Sequence, residues 1–127
     1  MTKKTMKKIR KKIKENYIGI HLVGDFWYGK IIDNKKEIEK ILRISAKKAK
    51  NIPLKIAIHK FKPQGITGII LLAESHIAIH SWPQINYVAV DIFTCGKKTK
   101  PHEALKYLKK VFKPKKIKVL EIKRGEF

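Results

Sequence analysis

Hydrophobic and polar residues follow a period of two, or form short apolar runs, in six segments of the chain. Turn residues such as glycine, proline and asparagine separate most of these segments. Alternation is typical of a half-buried strand, and a short apolar run between turns is typical of a buried strand. The pattern therefore predicts six strands, at 17–26, 54–61, 66–73, 75–82, 87–93 and 117–122.

Two longer segments have the helical period instead. The first follows Asp33-Asn34, which offers an N-cap, and the second begins at Pro101, a favourable first helical residue. Lysine and glutamate occupy the opposite face of the first helix, so it is amphipathic and suited to covering a sheet. The inward positions are Ile38, Ile41, Leu42, Ser45, Ala46 and Ala49 in the first helix, and Ala104, Leu105, Leu108, Val111 and Phe112 in the second.

The order of these elements is β-α-β-β-β-β-α-β, although the middle strands could instead form one long bent pair. Short turns between neighbouring strands predict an antiparallel sheet. Two amphipathic helices on one face of that sheet give an α+β fold, a two-layer sandwich that forms a single domain over residues 17–127. The other face is left uncovered, and for that reason we expect the protein to dimerise.

Residues 1–16 form a basic N-terminal extension. Its first 14 residues contain eight cations and no anion, and the spacing of Met6, Ile9 and Ile13 makes a short amphipathic helix possible. The remaining residues still carry 23 cations against 10 anions, so the net charge of +21 is widespread. A solvated basic surface is the favoured interpretation, and a role in binding nucleic acid or an acidic surface is the alternative. Only three cations are arginines, whereas base-reading surfaces favour arginine.

The composition also excludes several classes of protein. One cysteine cannot form an internal disulfide, and the five histidines lack zinc-finger spacing, so we expect no metal site. The longest uncharged apolar stretch, Gly65 to Ala73, is too short to span a bilayer. Charged and polar residues at 14–16 interrupt any secretory signal. These features predict a cytoplasmic protein without a membrane partner.

The strand at 75–82 carries an unusual concentration of polar side chains. Glu74, Ser75, His76 and His80 lie within seven residues of an otherwise apolar sheet. A regular strand places His76 and His80 on one face with Trp82, and Ser75 on the other. Core strands seldom accept so many polar groups without partners. The alternative is an edge strand whose histidines and serine face solvent.

The single cysteine follows the next strand, in Thr94-Cys95-Gly96. Gly96 permits a turn there, which would hold the thiol at the margin of the sheet. A buried cysteine that acts as a small hydrophobic residue is the alternative.

Taken together, these motifs closely resemble those of the prokaryotic S-adenosylmethionine decarboxylase proenzymes, which generate a covalent pyruvoyl group from an internal serine. The resemblance covers about residues 17–127. The motifs that carry it are Ala73-Glu74-Ser75-His76-Ile77-x-Ile79-His80-x-Trp82-Pro83, Val90-Asp91-Ile92-Phe93-Thr94-Cys95-Gly96, His21-Leu22 with Asp25, His59-x-Phe61-x-Pro63-x-Gly65-x-x-Gly68, and Glu121 with Arg124-Gly125.

The resemblance implies that the precursor cleaves itself between Glu74 and Ser75, into residues 1–74 and 75–127. The Ser75 hydroxyl would attack the Glu74 carbonyl to form an ester, and elimination of the Glu74 carboxylate would leave dehydroalanine. This residue would tautomerise and hydrolyse, with release of ammonia, to give the pyruvoyl cofactor at position 75. His80 is similar to the family's proton acceptor in processing, and Thr67 to a hydroxyl that polarises the scissile carbonyl. Because a regular strand directs Ser75 and His80 to opposite faces, a bend, a bulge or a relaxation would be needed to bring them together.

The resemblance also implies the reaction, which is decarboxylation of S-adenosylmethionine for spermidine biosynthesis. The pyruvoyl group would form a Schiff base with the substrate amine, and Cys95 would donate the proton to the decarboxylated carbon. Phe61, Trp82 and Gln84 correspond to substrate-binding positions. Trp82 is equally consistent with ordinary sheet packing, and Gln84 stands where the family commonly has glutamate.

Two other functions remain open at this point. The same scaffold could decarboxylate arginine or another amino acid, or the chain could be a non-catalytic basic protein that binds nucleic acid. For the decarboxylases, the resemblance implies a homodimer of cleaved protomers whose active sites draw residues from both chains. Nucleic acid is a possible partner of the basic extension but is not favoured.

Overall fold

The structure, a computed structural model, describes residues 1–13, 15–73 and 75–127. Within this part of the chain, six strands and three α-helices form, together with a short 3-10 helix at Pro83–Ile85. The middle strands are separate elements. The elements in order are α1 (Lys3–Lys12), β1 (Gly19–Trp27), α2 (Lys35–Lys48), β2 (Pro53–Lys60), β3 (Ile66–Leu72), β4 (His76–Trp82), β5 (Tyr87–Cys95), α3 (Pro101–Phe112) and β6 (Lys116–Arg124).

The six strands form one antiparallel sheet in the order β2-β3-β4-β5-β1-β6. β4 lies between β3 and β5, so the interpretation of this segment as an edge strand is wrong. β1, the first strand in the chain, pairs with β5 and β6 and therefore lies far from β2. The two strands at the edges of the sheet are β2 and β6.

Both α2 and α3 pack on the same face of the sheet, as the periodicity predicts. The Asn34 side chain accepts a hydrogen bond from the backbone N–H of Glu37 at 2.9 Å and caps α2. Pro101 opens α3. The buried side chains of both helices meet the inward residues of the central strands, among them Leu22, Ile70, Ile77, Ile79 and Ile92. The fold is therefore the expected α+β two-layer sandwich.

Among the described residues, no helix covers the opposite face of the sheet, which we call the open face. In β5 the burial alternates strictly, and the half-buried residues of the open face are Tyr87, Ala89, Asp91, Phe93 and Cys95. Neighbouring positions of β4 contribute His76, His80 and Trp82, as expected from the period of two. Most of the polar and aromatic residues predicted from the sequence as candidate site residues therefore lie on the open face.

The basic extension begins with a short helix that contributes nothing to the core. The Thr2 side chain caps α1 by accepting the backbone N–H of Thr5, and every residue of α1 is exposed. The guanidinium of Arg10 lies over the Phe127 ring at 5.8 Å. None of the described helices is long and apolar enough to span a membrane.

Candidate active site

Ser75 lies in the turn between β3 and β4, at one end of the sheet. Its backbone carbonyl accepts the N–H of Leu72 at 3.0 Å, which closes the turn. The Ser75 hydroxyl donates to the backbone carbonyl of Phe93 on β5. Glu74, the other residue of the expected cleavage site, lies outside the described residues. The Ser75 side chain is therefore half-buried, and its hydroxyl is oriented by the neighbouring strand β5.

Cys95 lies at the same end of the sheet, at the last residue of β5. It follows Phe93 by two residues, a separation of about 7 Å along a strand. Gly19 is its partner in β1, and a Cβ on Gly19 would lie only 2.8 Å from the Cys95 sulfur. The Cys95 thiol thus occupies the space that a side chain at position 19 would need, so glycine is required there. Gly96 turns the chain with a φ of 98°, so the sheet ends at Cys95 as expected.

A cavity of about 370 Å³ adjoins Cys95. Tyr17, Gly19, Gly96 and Thr99 are among the residues that line it with Cys95. The thiol is half-buried and faces this space, so the alternative of a cysteine fully enclosed in the core does not apply. A small molecule could approach the sulfur from here.

The other candidate residues lie together at the opposite end of the open face. Thr67 and His80 are paired across β3 and β4, and Thr67 Oγ1 lies 3.3 Å from His80 Nδ1. A cavity of about 300 Å³ lies beside them. The remaining candidate residues, which also line this cavity, are Phe61, Trp82 and Gln84.

The turn that carries Phe61 is held by an ion pair. Asp33 accepts hydrogen bonds from the Lys60 ammonium at 2.9 Å and from the Gly65 backbone N–H at 3.0 Å. Burial alone would raise the pKa of Asp33, but these two hydrogen bonds outweigh it, and the pKa is lowered. Asp33 therefore stays ionised and connects the start of α2 to the wall of the cavity.

The two groups of candidate residues do not meet within one chain. His80 follows His76, the first residue of β4, by four residues, which corresponds to about 13 Å along the strand, and Ser75 precedes His76 in the turn. β4 pairs with both β3 and β5 in continuous register, without a bulge. Within His76–Trp82, the described strand therefore has no bend that would bring His80 towards the turn that carries Ser75. Ser75 and Cys95 lie at one end of the sheet, and Thr67 and His80 lie towards the other.

A polar cluster to which sequence analysis assigned no role lies beside Ser75. His21 Nε2 is 3.1 Å from an Asp91 carboxylate oxygen, and His21 Nδ1 is 3.2 Å from the Arg124 guanidinium. The Phe93 ring lies against His21 and His76, with ring centroids 5.5 and 6.0 Å apart. Arg124 also lies over the Phe93 ring at 5.3 Å. The alternation did place Asp91 and Phe93 on one face, but their contact with His21 depends on the pairing of β1 with β5.

This cluster affects the charge of His76. Burial lowers the pKa of His76, and the nearby His21 and Arg124 lower it further, while Asp91 acts in the opposite direction. His76 is therefore neutral near pH 7. A neutral imidazole beside Ser75 can accept or donate a hydrogen bond without adding charge.

A ladder of aromatic rings crosses the other end of the open face. Tyr87 stacks between Trp27 and Trp82, with ring centroids 4.4 and 5.3 Å apart. The Tyr87 hydroxyl donates to Asp25, and burial together with this hydrogen bond raises the pKa of Tyr87 to about 12. Trp82 thus packs within the sheet and also lines the cavity beside His80, so its two expected roles are compatible.

Comparison with known proteins defines the class to which this fold and site belong. The family model described as S-adenosylmethionine decarboxylase matches residues 20–125. The chain is 44% identical over 115 residues to the S-adenosylmethionine decarboxylase proenzyme of Acetivibrio thermocellus, a match that covers 88% of this chain and 92% of the relative. It is 41% identical over 110 residues to the proenzyme of the same name from Methanococcus maripaludis, with 85% and 90% covered.

A solved structure has the same fold. The adenosylmethionine decarboxylase of Aquifex aeolicus superposes with a TM-score of 0.83 at 32% identity, and the match covers 89% of this chain and 95% of that one. The chain belongs to the S-adenosylmethionine decarboxylase family. The basic residues before position 20 lie outside the match to the family model.

Proposed function

We propose that the protein is a self-processing, pyruvoyl-dependent decarboxylase that acts on S-adenosylmethionine and serves spermidine biosynthesis. In this proposal Ser75 is both the nucleophile of cleavage and the source of the pyruvoyl group. Cys95 is the proton donor during turnover. The observation that carries the proposal is the location of Ser75 and Cys95 at one end of the sheet, connected through Phe93.

The surroundings of Ser75 fit a pyruvoyl group. The turn is closed by the Ser75 carbonyl, which would remain in place when the bond to Glu74 is broken. The Ser75 hydroxyl donates a hydrogen bond to the Phe93 carbonyl. Because its direction is already fixed, the hydroxyl loses less conformational entropy when it attacks the Glu74 carbonyl. When present, a pyruvoyl group supplies an electron-withdrawing ketone for decarboxylation. The chain itself supplies the Cys95 thiol, which can deliver a proton beside residue 75.

The strand order explains how a cleaved chain would stay folded. Cleavage after Glu74 leaves β1, β2 and β3 in one fragment and β4, β5 and β6 in the other. Three of the five strand pairs, β3–β4, β5–β1 and β1–β6, then join the two fragments. The fragments would also share one hydrophobic core. We therefore expect them to separate only when the protein is denatured.

The distance between Ser75 and His80 supports a dimeric active site. A base about 13 Å along the strand from the turn that carries its target cannot take the target's proton. If two open faces pack with their sheets in opposite directions, His80 of the partner subunit approaches Ser75. Large hydrophobic side chains on β3, β4 and β6 are exposed there, among them Leu71, Trp82, Leu120 and Ile122. Burial of these residues would favour such a homodimer of cleaved protomers.

The cavity beside His80 supports a substrate with an aromatic group and a cation. Phe61 is 47% exposed and Trp82 42% exposed, so both rings are accessible from the cavity. Aromatic faces stack with nucleobases and attract cations such as a sulfonium. Gln84 can donate and accept hydrogen bonds with ribose hydroxyls. The names of the relatives favour S-adenosylmethionine over arginine as the substrate.

The intact mass of the purified protein tests the processing step. We expect two polypeptides that correspond to residues 1–74 and 75–127, and a single uncleaved polypeptide from the Ser75→Ala variant. Release of carbon dioxide from labelled S-adenosylmethionine and from labelled arginine, measured in parallel, tests the substrate. A precursor that never cleaves would refute self-processing. Cleavage followed by release from arginine alone would refute only the substrate assignment.

A further inference from the structure

A groove between α2 and α3, on the side of the molecule away from the open face, is lined mainly by lysine. Its volume is about 930 Å³. Eight of its twelve lining residues are lysines and only one, Glu103, is acidic. The lysines include Lys47 and Lys48 on α2, and Lys106 and Lys110 on α3. Ile44, Tyr107 and Val111 form the less exposed remainder of the lining.

No ion pair neutralises the lysines of this groove within the described part of the chain. In the described ranges, the ion pairs are His21–Asp91, Arg43–Glu39, Lys60–Asp33 and His102–Glu121, none of which includes a groove lysine. Like charges gathered in a concave surface raise its potential and concentrate anions. The groove is therefore complementary to a ligand that carries several negative charges.

Two of the groove lysines occupy an unfavourable backbone conformation. Lys50 follows the end of α2 with a φ of 55°, and Lys113 caps the end of α3 with a φ of 48°. Glycine is the usual residue in this left-handed region after a helix, because other L-residues are strained there. At both helix ends the chain has a lysine that lines the groove. Strain maintained at two such positions is a feature of functional surfaces.

We propose that this groove binds the phosphate backbone of a single-stranded nucleic acid, separately from decarboxylation on the open face. Lysine ammonium groups act as point charges that suit phosphate and carry little base specificity. Single strands are typically bound by a basic groove that follows the backbone together with aromatic rings on which unpaired bases stack. Tyr107 provides an aromatic ring on which a base can stack.

The shape of the groove argues against a membrane as its ligand. A lipid surface is flat on this scale and is normally engaged by protruding hydrophobic side chains. Here the apolar lining residues Ile44, Tyr107 and Val111 are only partly exposed, while the lysines around them are exposed.

Fluorescence anisotropy of a labelled 12-nucleotide oligouridylate tests the proposal with the full-length protein. The test variant is Lys47→Gln with Lys106→Gln and Lys110→Gln. The control is Lys35→Gln with Lys36→Gln and Lys40→Gln, which removes the same charge from exposed residues that do not line the groove. We expect the test variant to bind about tenfold or more weakly. Loss of three phosphate contacts should make the slope of log K against log salt concentration less steep by about 2.

A second variant separates binding from stability. Lys50→Gly with Lys113→Gly relieves the strain and removes two cations, so the melting temperature should rise by about 3 °C or more while binding weakens. Equal weakening by the test and control triple variants would show that net charge alone binds the strand and would overturn the proposal. No binding at low salt, or binding only to anionic phospholipid vesicles, would overturn it as well. Decarboxylation should be unchanged in all these variants.

Discussion

Thr67 and His80 face each other across β3 and β4, with Thr67 Oγ1 3.3 Å from His80 Nδ1. This contact engages one ring nitrogen within the subunit and leaves Nε2 as the nitrogen that could act on a partner subunit. The same pair lies beside Phe61 and Trp82, so the proposed processing base also borders the proposed substrate cavity. The end of the open face that carries His80 would then serve both cleavage of the precursor and binding of the substrate.

Replacing Thr67 by valine should slow cleavage without abolishing it. Valine keeps the shape of the side chain but removes the hydroxyl that orients His80. A hydrogen bond of this kind contributes about 1 kcal/mol, which corresponds to about a fivefold change in rate. The fraction of cleaved chain is measured on denaturing gels over time. Thr67→Ser is the matched control and should cleave at the rate of the unmodified protein. Equal slowing in both variants would indicate a packing defect rather than loss of the hydroxyl.

A mixture of two inactive variants should restore cleavage if the base comes from the partner subunit. Ser75→Ala lacks the nucleophile and His80→Ala lacks the base, so neither is expected to cleave alone. In a mixed dimer, His80 of the Ser75→Ala chain would act on Ser75 of the His80→Ala chain. Differently tagged chains are co-expressed and their masses determined. Absence of any cleaved His80→Ala chain, despite formation of the mixed dimer, would exclude action in trans.

Replacing Cys95 by alanine should spare cleavage and impair turnover. Cleavage depends on Ser75 and its base, whereas protonation of the product carbon is assigned to the thiol. Loss of a general acid typically lowers a rate by about 100-fold or more. Intact mass measures the first step, and carbon dioxide release and the product formed measure the second. Turnover at the rate of the unmodified protein would refute the assignment of Cys95 as the proton donor.

His76 should make folding sensitive to mild acid. Because its pKa is lowered in the fold from the model-peptide value of 6.5, the unfolded chain binds more protons just below that pH. The free energy of unfolding should therefore be highest above pH 6.5 and fall as the pH drops toward the folded pKa, by at most about 1.4 kcal/mol per pH unit for this one group. Urea denaturation between pH 5 and 7.5 measures the slope. His76→Gln should flatten it, and an unchanged slope would contradict the proposed titration.

Periodicity along the chain was sufficient to predict the layers of this fold. β5 is the clearest case, since residues 87–93 were predicted as a strand and its buried residues alternate strictly over Tyr87–Cys95. Asn34 and Pro101 marked the starts of both core helices because their local chemistry favours those positions. Such signals are readable because each depends on residues within one turn or one strand.

The arrangement of residues on the open face could not be predicted from local sequence patterns. The segment that became β4 could have been an edge strand, and its histidines could have faced solvent, because a period of two does not reveal which strands lie beside it. Only the folded sheet placed it between β3 and β5. The contacts of His21 with Asp91 and Arg124 likewise join residues 70 and 103 positions apart. Their proximity depends on β1 pairing with both β5 and β6.

By itself, the sequence determined the fold class, the resemblance to a decarboxylase family and the residue types available for catalysis. The fold class follows from periodicity and local hydrogen bonding, and the resemblance depends on the motifs around Ser75 and Cys95. The tertiary structure alone decided that Ser75 and Cys95 share one end of the sheet while Thr67 and His80 share the other. Strand order and register set distances between residues remote in sequence, and a straight β4 keeps His80 about 13 Å from the turn that carries Ser75.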